Sequence, residues 1–259
     1  MRIEECAILR KRHLKRFSAI FAGVLWATGI ASGSCLAQAA KLSLTTTMLP
    51  PLTSSPGHAG FIDELARDAF KRIGVDVEIL VLPAERSLIN ANEGLDDGDV
   101  FRIAGLERDY PNLLRVPGKM LDNEFMAYTN RADIRIRNWA DLQPYVVAYA
   151  TGWRIFDLNV QGVKELTKTA SIRELFPLLE KGRADVVLME RWQGQWMVRQ
   201  QGYQVRLQEP PLARVEMFMY LNKKHAALVP QVAQALADMK ADGSYRKLHD
   251  RYLKPLDAR

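Results

Sequence analysis

The chain has 259 residues, of which 48% are hydrophobic and 25% charged, and a formal net charge of +6. The positive charge is concentrated in the first 39 residues, which hold six Lys/Arg against two Asp/Glu, so the remainder carries only +2. This balance excludes nucleic-acid binding and membrane-surface binding as functions of the main part of the chain. The remaining 220 residues suffice for one large domain or for two lobes of ordinary size.

The first 39 residues have the pattern of a secretory signal peptide. Five basic residues between positions 10 and 16 precede an uncharged stretch from Phe17 to Ala40, and Ala37-Gln38-Ala39 fits a signal-peptidase site. Cleavage near Ala39 predicts export to the periplasm, with no membrane insertion afterwards, and removes both cysteines, Cys6 and Cys35. The alternative is a retained anchor, because 24 uncharged residues are long enough to span a bilayer.

The first part of the mature chain predicts an α/β pattern. Apolar and polar residues alternate at 41–47, which indicates a strand, and three prolines and two glycines at 48–60 indicate a loop. The pattern then predicts a helix at 61–73 and a strand at 75–82. This βαβ unit requires parallel strands and a right-handed crossover. A second helix at 84–92 and a short strand at 100–103 follow, then a strand at 124–130.

The rest of the chain repeats this mixture. Strands are predicted at 146–150, 185–189 and 215–221, and helices at 156–163, 172–179, 192–201, 229–241 and 245–252. The strands at 124–130 and 215–221 bracket a middle block of about ninety residues. If both cross between lobes, residues 40–127 and 219–259 form the first lobe, and residues 128–218 form a second lobe inserted into it through a hinge.

Five segments, taken in order, resemble the bacterial extracellular solute-binding proteins of family 3, the polar amino-acid ABC transporter type. They are Gly60–Ala66, Arg86–Asp99, Trp139–Leu142, Gly182–Val187 and Met239–Tyr245. The resemblance implies the two-lobed type II periplasmic-binding-protein fold, with the inserted lobe joined by two hinge strands. It also implies capture of a small polar, amino-acid-like ligand by hinge closure, and delivery to the permease of an ABC transporter. We expect a monomer without cofactor or metal.

The family's ligand acid has a counterpart in Glu190, which follows the predicted strand at 185–189. In the family, an acid at this place receives the ligand ammonium, although it is commonly Asp. The longer Glu190 implies a different or more deeply placed ligand. The alternative is a solvated side chain paired with the neighbouring Arg191.

The family's carboxylate-binding arginine is harder to place, because the threonine-rich turn that usually carries it is missing. Arg102 and Arg108 are both candidates, and we favour Arg102, since a charge between Phe101 and Ile103 otherwise has no reason. An arginine offers a carboxylate a rigid bidentate fork. Arg86, on the helix after Pro83, could also face the cleft or could belong to the surface.

A third group of candidate ligand contacts is Thr151, Gly152 and Trp153. Gly152 would let the backbone approach a ligand, and the N–H groups at the start of the next helix suit an anion. Trp153 could stack on the ligand or face its ammonium. Relatives commonly have aromatic residues after the first strand, whereas this chain has the aliphatic run 48–52, which counts against a standard amino-acid ligand.

An enzyme on the same fold, such as a dehydratase, is the main alternative function. Glu190 or Glu85 could act as its acid or base. No Ser/His/Asp arrangement is evident, and His58, His225 and His249 are far apart in sequence, without the spacing of metal ligands. We therefore favour a binding protein without catalytic residues. A ligand-sensing adaptor that works with a separate partner remains a further alternative.

Overall fold

A computed structural model describes residues 41–257 as a mixed α/β structure. Its strands are β1 (Leu42–Thr46), β2 (Val77–Val81), β3 (Gly98–Ile103), β4 (Leu113–Arg115), β5 (Leu121–Thr129), β6 (Val146–Ala150), β7 (Glu165–Thr169), β8 (Val186–Glu190) and β9 (Arg206–Asn222). Its helices are α1 (Phe61–Arg72), α2 (Ala84–Glu93), α3 (Arg154–Asn159), α4 (Leu175–Glu180), α5 (Arg191–Gln201), α6 (Val229–Ala241), α7 (Ser244–Tyr252) and α8 (Lys254–Asp257). Short 3₁₀ turns connect several of them.

One sheet runs through the described residues in the order β2-β1-β3-β9-β5-β8-β6-β7, and β4 pairs with β9. β1 is parallel to β2 and β3, and β6 is parallel to β7 and β8. Between these two parallel groups lie β5 and β9, which are antiparallel to each other and to the strands that flank them. The two long antiparallel strands are therefore shared by both groups, as the predicted hinge strands require.

Most of the predicted elements are confirmed, including the first βαβ unit, α2 and the strand at 185–189. Several predictions are wrong in extent, and two strands were missed. The second hinge strand is 17 residues long and begins at Arg206 rather than 215. The helix predicted at 156–163 ends at Asn159. β4 and β7, which are short, were not expected from the sequence pattern.

The apolar residues separate into distinct clusters along the sheet. One joins α1, α6 and the first parallel group, and it includes Phe61, Leu65 and Ala69 from the predicted apolar face of α1. The second parallel group is covered on both faces. Val186 and Leu188 of β8 pack into one cluster while Val187 and Met189 pack into another. A parallel strand buried on both faces explains the continuous apolar run that predicted β8.

The predicted signal peptide, residues 1–39 with Cys6 and Cys35, lies outside the described residues, so its cleavage remains a prediction. The boundaries of the two lobes also remain a prediction. Within residues 41–257, no helix combines the length and the apolar character that crossing a membrane would require.

Candidate functional site

The carboxyl ends of the two parallel groups point toward each other across the shared strands. β3 ends at Ile103, which pairs with Met217 of β9, and Met217 also pairs with Leu121 of β5. β8 ends at Glu190, which pairs with Phe125 of β5. Four residues of β5 separate these levels, a distance of roughly 13 Å at strand spacing. Ligands of α/β sheets bind outside the carboxyl ends of the strands, so this gap is the candidate site.

Glu190 is fully buried at the end of β8 and caps the N-terminus of α5. Its Oε2 accepts a hydrogen bond from the backbone N–H of Gln193 at 2.7 Å, whereas its Oε1 has no partner among the described residues. Burial raises the pKa of this carboxyl from 4.5 to about 7, against the lowering effect of the backbone N–H groups of Gln193 and Trp192. The site therefore holds one buried carboxylate oxygen that lacks a donor.

The alternative interpretation of Glu190 as a solvated residue paired with Arg191 is wrong. Glu190 has no exposed surface, and Arg191 forms its ion pairs with Glu124 and with Glu209, the latter at 2.6 Å. Arg191 lies where it lowers the pKa of Glu190 through space, but it does not bond to Oε1. Arg191 is already ion-paired with these two carboxylates, so Oε1 of Glu190 is available to bind a cationic group of a ligand.

Aromatic rings line the same face of the sheet as Glu190. Phe125 lies directly opposite Glu190 in the antiparallel ladder, so their side chains share a face. Trp153 is half-buried and meets Phe125 edge to face with ring centroids 5.6 Å apart, and it lies 6.0 Å from Phe156. The structure thus brings Trp153 and Glu190 to one region, where the electron-rich ring faces suit a cation.

Thr151 and Gly152 lie at the adjoining edge of the sheet. Val147 pairs with Val186 in the parallel ladder, so the register continued by four residues places Thr151 level with Glu190. Thr151 is exposed and donates from both its N–H and its hydroxyl to the carbonyl of Thr169. Gly152 adopts a φ of +97° and has open space where a Cβ would be. The positive φ by itself favours glycine here, and the predicted close approach of a ligand to Gly152 stays a prediction.

Asn123 is a site residue that the sequence patterns did not reveal. It precedes Phe125 by two positions on β5, so its side chain shares the face that carries Phe125 and Glu190. Asn123 is buried, and its Oδ1 has no partner among the described residues. The available signal was a polar residue alternating with Leu121 and Phe125, but the predicted strand began one residue too late to include it.

Three other buried side-chain oxygens have no partner among the described residues. They are Thr46 Oγ1 at the end of β1, Asp63 Oδ1 on α1 and Gln193 Oε1 on α5. Thr46 ends a strand of the first parallel group, and Gln193 follows Glu190 by three residues. Buried polar atoms without partners are rare in folded proteins, and each calls for an explanation such as a ligand or an ordered water.

Arg102 lies at the carboxyl end of β3 on the opposite side of the gap. Its Nε and Nη2 both lie 2.8 Å from Oδ2 of Asp99, which is fully buried, and Nη2 donates to the carbonyl of Ala84 at 3.1 Å. The side chain of Arg102 is 13% exposed, and Nε and Nη2 are occupied by these contacts. Nη1 has no hydrogen bond among the described residues, so Arg102 can offer a carboxylate only part of its fork.

The two other candidate arginines are exposed. Arg108 is 85% exposed, and among the described residues its ion-pair partner is Asp109. The hydrogen bond from the Arg108 guanidinium holds the pKa of the Asp109 carboxyl below its usual range. Arg86 is exposed on the first turns of α2, two residues beyond Ala84, to which Arg102 is bonded. Arg86 and Arg102 therefore lie with the first parallel group. The Thr151–Trp153 segment and Glu190 lie with the second. No bond in the described structure joins the two sets.

The chain was compared with known proteins. No protein-family model matches the sequence, and no curated protein matches it. Solved structures do match. An ancestral arginine-binding protein bound to glutamine has a TM-score of 0.64 at 20% identity, with 82% of this chain and 97% of that chain covered. This chain has the two-lobed type II periplasmic-binding-protein fold.

Two further neighbours show the range of proteins that share this fold. The substrate-binding protein of an amino acid ABC transporter has a TM-score of 0.62 at 19% identity, covering 82% of this chain and 99% of the other. A histidine kinase sensor domain with similarity to periplasmic binding proteins has a TM-score of 0.67 at 18% identity, covering 83% and 96%. The predicted resemblance to amino-acid-transporter binding proteins is confirmed at the level of structure.

The raised pKa of Glu190 predicts a pH-dependent stability. In the unfolded chain this carboxyl ionises near 4.5, whereas in the folded chain it keeps its proton to about 7. The free energy of unfolding should therefore fall as pH rises through this window, by up to about 3 kcal/mol, and then level off. Urea unfolding at several pH values measures this effect in the wild type and in Glu190→Gln. The variant lacks the Glu190 contribution to the pH dependence, and the contributions of the other titrating groups cancel when its free energy of unfolding is subtracted from that of the wild type. A constant difference between pH 4.5 and 8 would contradict the assignment.

Proposed function

We propose that this protein is a periplasmic solute-binding protein that captures a small polar ligand carrying a cationic group, of the amino-acid type. The observation that supports this most is Glu190, a fully buried carboxyl on the same sheet face as Phe125. Its Oε1 has no donor within residues 41–257. A protonated amine would supply the missing donor and the missing positive charge.

The surroundings of Glu190 favour an amine over other donors. Asn123 Oδ1 is a second acceptor without a donor on the same face, and Trp153 contributes an aromatic wall beside Phe125. Two acceptors and an aromatic ring complement an ammonium or guanidinium group and oppose an anion. In this proposal, Gly152 and Thr151 contact the body of the ligand.

The opposite edge would receive the other end of an amino-acid-like ligand. Nη1 of Arg102 and the nearby Arg86 provide positive charge at the ends of β3 and at α2, where a carboxylate could bind. Binding across the gap would draw the two edges together, because a ligand that contacts both favours the closed form. The shared strands β5 and β9 would form the hinge.

Delivery to the permease of an ABC transporter is the second part of the proposal. It is supported by the likeness to the binding protein of an amino acid ABC transporter. A role in sensing is the other candidate, because a histidine kinase sensor domain has the same fold. Catalysis has less support, since the solved structures named above are binding proteins and a sensor domain.

The proposal is tested by a thermal-shift screen of residues 40–259 against amino acids, opines, polyamines and small carboxylates. We expect at least one amine-bearing compound to raise Tm, and we expect mass analysis to recover it unchanged after incubation. A hit that is converted to a product would replace the binding function with an enzymatic one. A screen in which only compounds without a cationic group bind would contradict the role of Glu190.

A further inference from the structure

A second cavity lies outside the candidate site, between α5, the first residues of β9 and α8. Its volume is about 920 Å³, and it is lined among others by Arg135, Arg191, Arg199, Arg206, Glu209 and Asp257. We name it the arginine groove. This volume is at the upper end of the range of about 300–1,000 Å³ that drug-sized ligands occupy.

The acidic residues of the arginine groove are already paired. Arg191 lies 2.6 Å from Glu209 and 3.9 Å from Asp257, and it also pairs with Glu124. Arg191 is thus the cation that both acidic side chains of the lining contact. Four arginines against two carboxylates leave the lining with a net charge of +2.

Those three arginines have no carboxylate within ion-pair distance in the described part of the chain. Arg135 donates to the carbonyls of Ala132 and Ile134, each at 2.8 Å, and Arg199 donates to the carbonyl of Pro255 at 2.7 Å. Arg206 pairs with Thr129 in the β5–β9 ladder, and its side chain forms no hydrogen bond or ion pair among the described residues. Carbonyl bonds hold Arg135 and Arg199 in place without neutralising them, so three arginines of the groove are available to an acidic ligand, and the lining as a whole is positively charged.

The form of the groove favours a polypeptide segment over a compact solute. Arg135, Arg199 and Arg206 are exposed and come from three separate segments of the chain, so the charges are spread along an open surface rather than around an enclosed point. Val205 and Leu207 are half-buried and give the groove apolar surface between the charges. Separated arginines that flank apolar surface suit an extended acidic chain with alternating side chains.

We propose that the arginine groove is a docking site for an acidic segment of a partner protein. The site is distinct from the gap that holds Glu190, and it does not depend on the identity of the solute bound there. Arginine forks would pair with the carboxylates of the segment, and the association should weaken as salt increases.

Fluorescence anisotropy of a labelled octaglutamate peptide tests this proposal with residues 40–259. We expect binding at low ionic strength, and at least a tenfold weaker affinity for the double variant Arg199→Gln/Arg206→Gln. Both side chains are exposed, so the variant should keep its Tm. The matched control is Arg173→Gln/Arg183→Gln, which removes the same charge from exposed positions outside the groove and should change the affinity less than twofold.

Three outcomes would overturn the proposal. The wild type does not bind the peptide at low salt, or the two double variants weaken binding equally, which would show a general effect of net charge. Alternatively, tripolyphosphate binds the groove more tightly than the peptide and displaces it, which would make a small polyanion the occupant.

Discussion

Glu190→Gln should weaken the binding of the amine-bearing ligand by a factor of about 10² to 10³. The substitution keeps the size of the side chain and its cap on the N–H of Gln193, but it removes the negative charge that faces the ligand. Truncating one partner of a buried charge pair costs roughly 2–5 kcal/mol, which corresponds to a factor of about 30 to 5,000 and includes this range. Isothermal titration calorimetry at pH 8 with the compound identified by the screen measures it.

The matched control is Glu85→Gln, which makes the same chemical change at an exposed position on the first turn of α2. Its affinity should stay within twofold of wild type. If Glu190→Gln binds as tightly as Glu85→Gln, the carboxyl of Glu190 is not a ligand contact, and its free Oε1 needs another explanation.

Arg102→Ala should lower the free energy of unfolding by about 3–5 kcal/mol, because it leaves Asp99 without its counter-charge. Asp99 is fully buried and accepts from Ser87, from the backbone of Phe101 and from Arg102, which supplies the only formal positive charge bonded to it in the described residues. The loss should be measured by urea unfolding at neutral pH. It means that weaker binding by Arg102→Ala alone would not establish a ligand contact.

Two further variants separate the structural role of Arg102 from a role in binding. Asp99→Asn in the Arg102→Ala background removes the buried charge and should recover a large part of the stability. Arg108→Ala is the control, since Arg108 is 85% exposed and should contribute less than about 0.5 kcal/mol. Arg102→Lys keeps a positive charge near Asp99 without the planar fork, so it tests carboxylate binding in a folded protein. A cost below about 1 kcal/mol for Arg102→Ala would contradict the buried pair.

The architecture could be predicted because each α/β unit carries its own periodicity. The apolar face of α1 and the continuous apolar run of β8 indicated their burial before any contact was known. The long strand β9 was harder, because Glu209, Pro210 and Pro211 interrupt any apolar alternation in its first half. Proline is unusual inside strands, so the pattern favoured a loop there.

The candidate site was only partly predictable. Glu190 could be predicted as a candidate because it follows an apolar strand, and because the family that the chain resembles has a ligand-binding acid at this place. The contact between Asp99 and Arg102 could not, because residues three apart on a regular strand point to opposite faces. The pairing of β3 with β9 shifts register between these two residues, and this irregularity brings their side chains together.

The structure shows where the aliphatic run at 48–52 lies. Its sequence lacks the aromatic residues that relatives commonly have after the first strand. In the structure Met48 is exposed while Leu52 is fully buried in the core of α1 and the first parallel group. The aromatic rings near Glu190 are Phe125 and Trp153, from the shared strand and the second group. An aromatic wall for the ligand on the side of the second group, in place of one after the first strand, is part of the proposal.

The most direct test of a cationic ligand at Glu190 is the number of protons released on binding. Titration calorimetry at pH 6, repeated in buffers of different ionisation enthalpy, gives this number. Since Glu190 has a pKa of about 7 in the free protein, pairing with a cation should ionise it and release close to one proton per ligand, and Glu190→Gln should release none. Equal proton release by wild type and variant, with equal affinity, would contradict the proposed binding site.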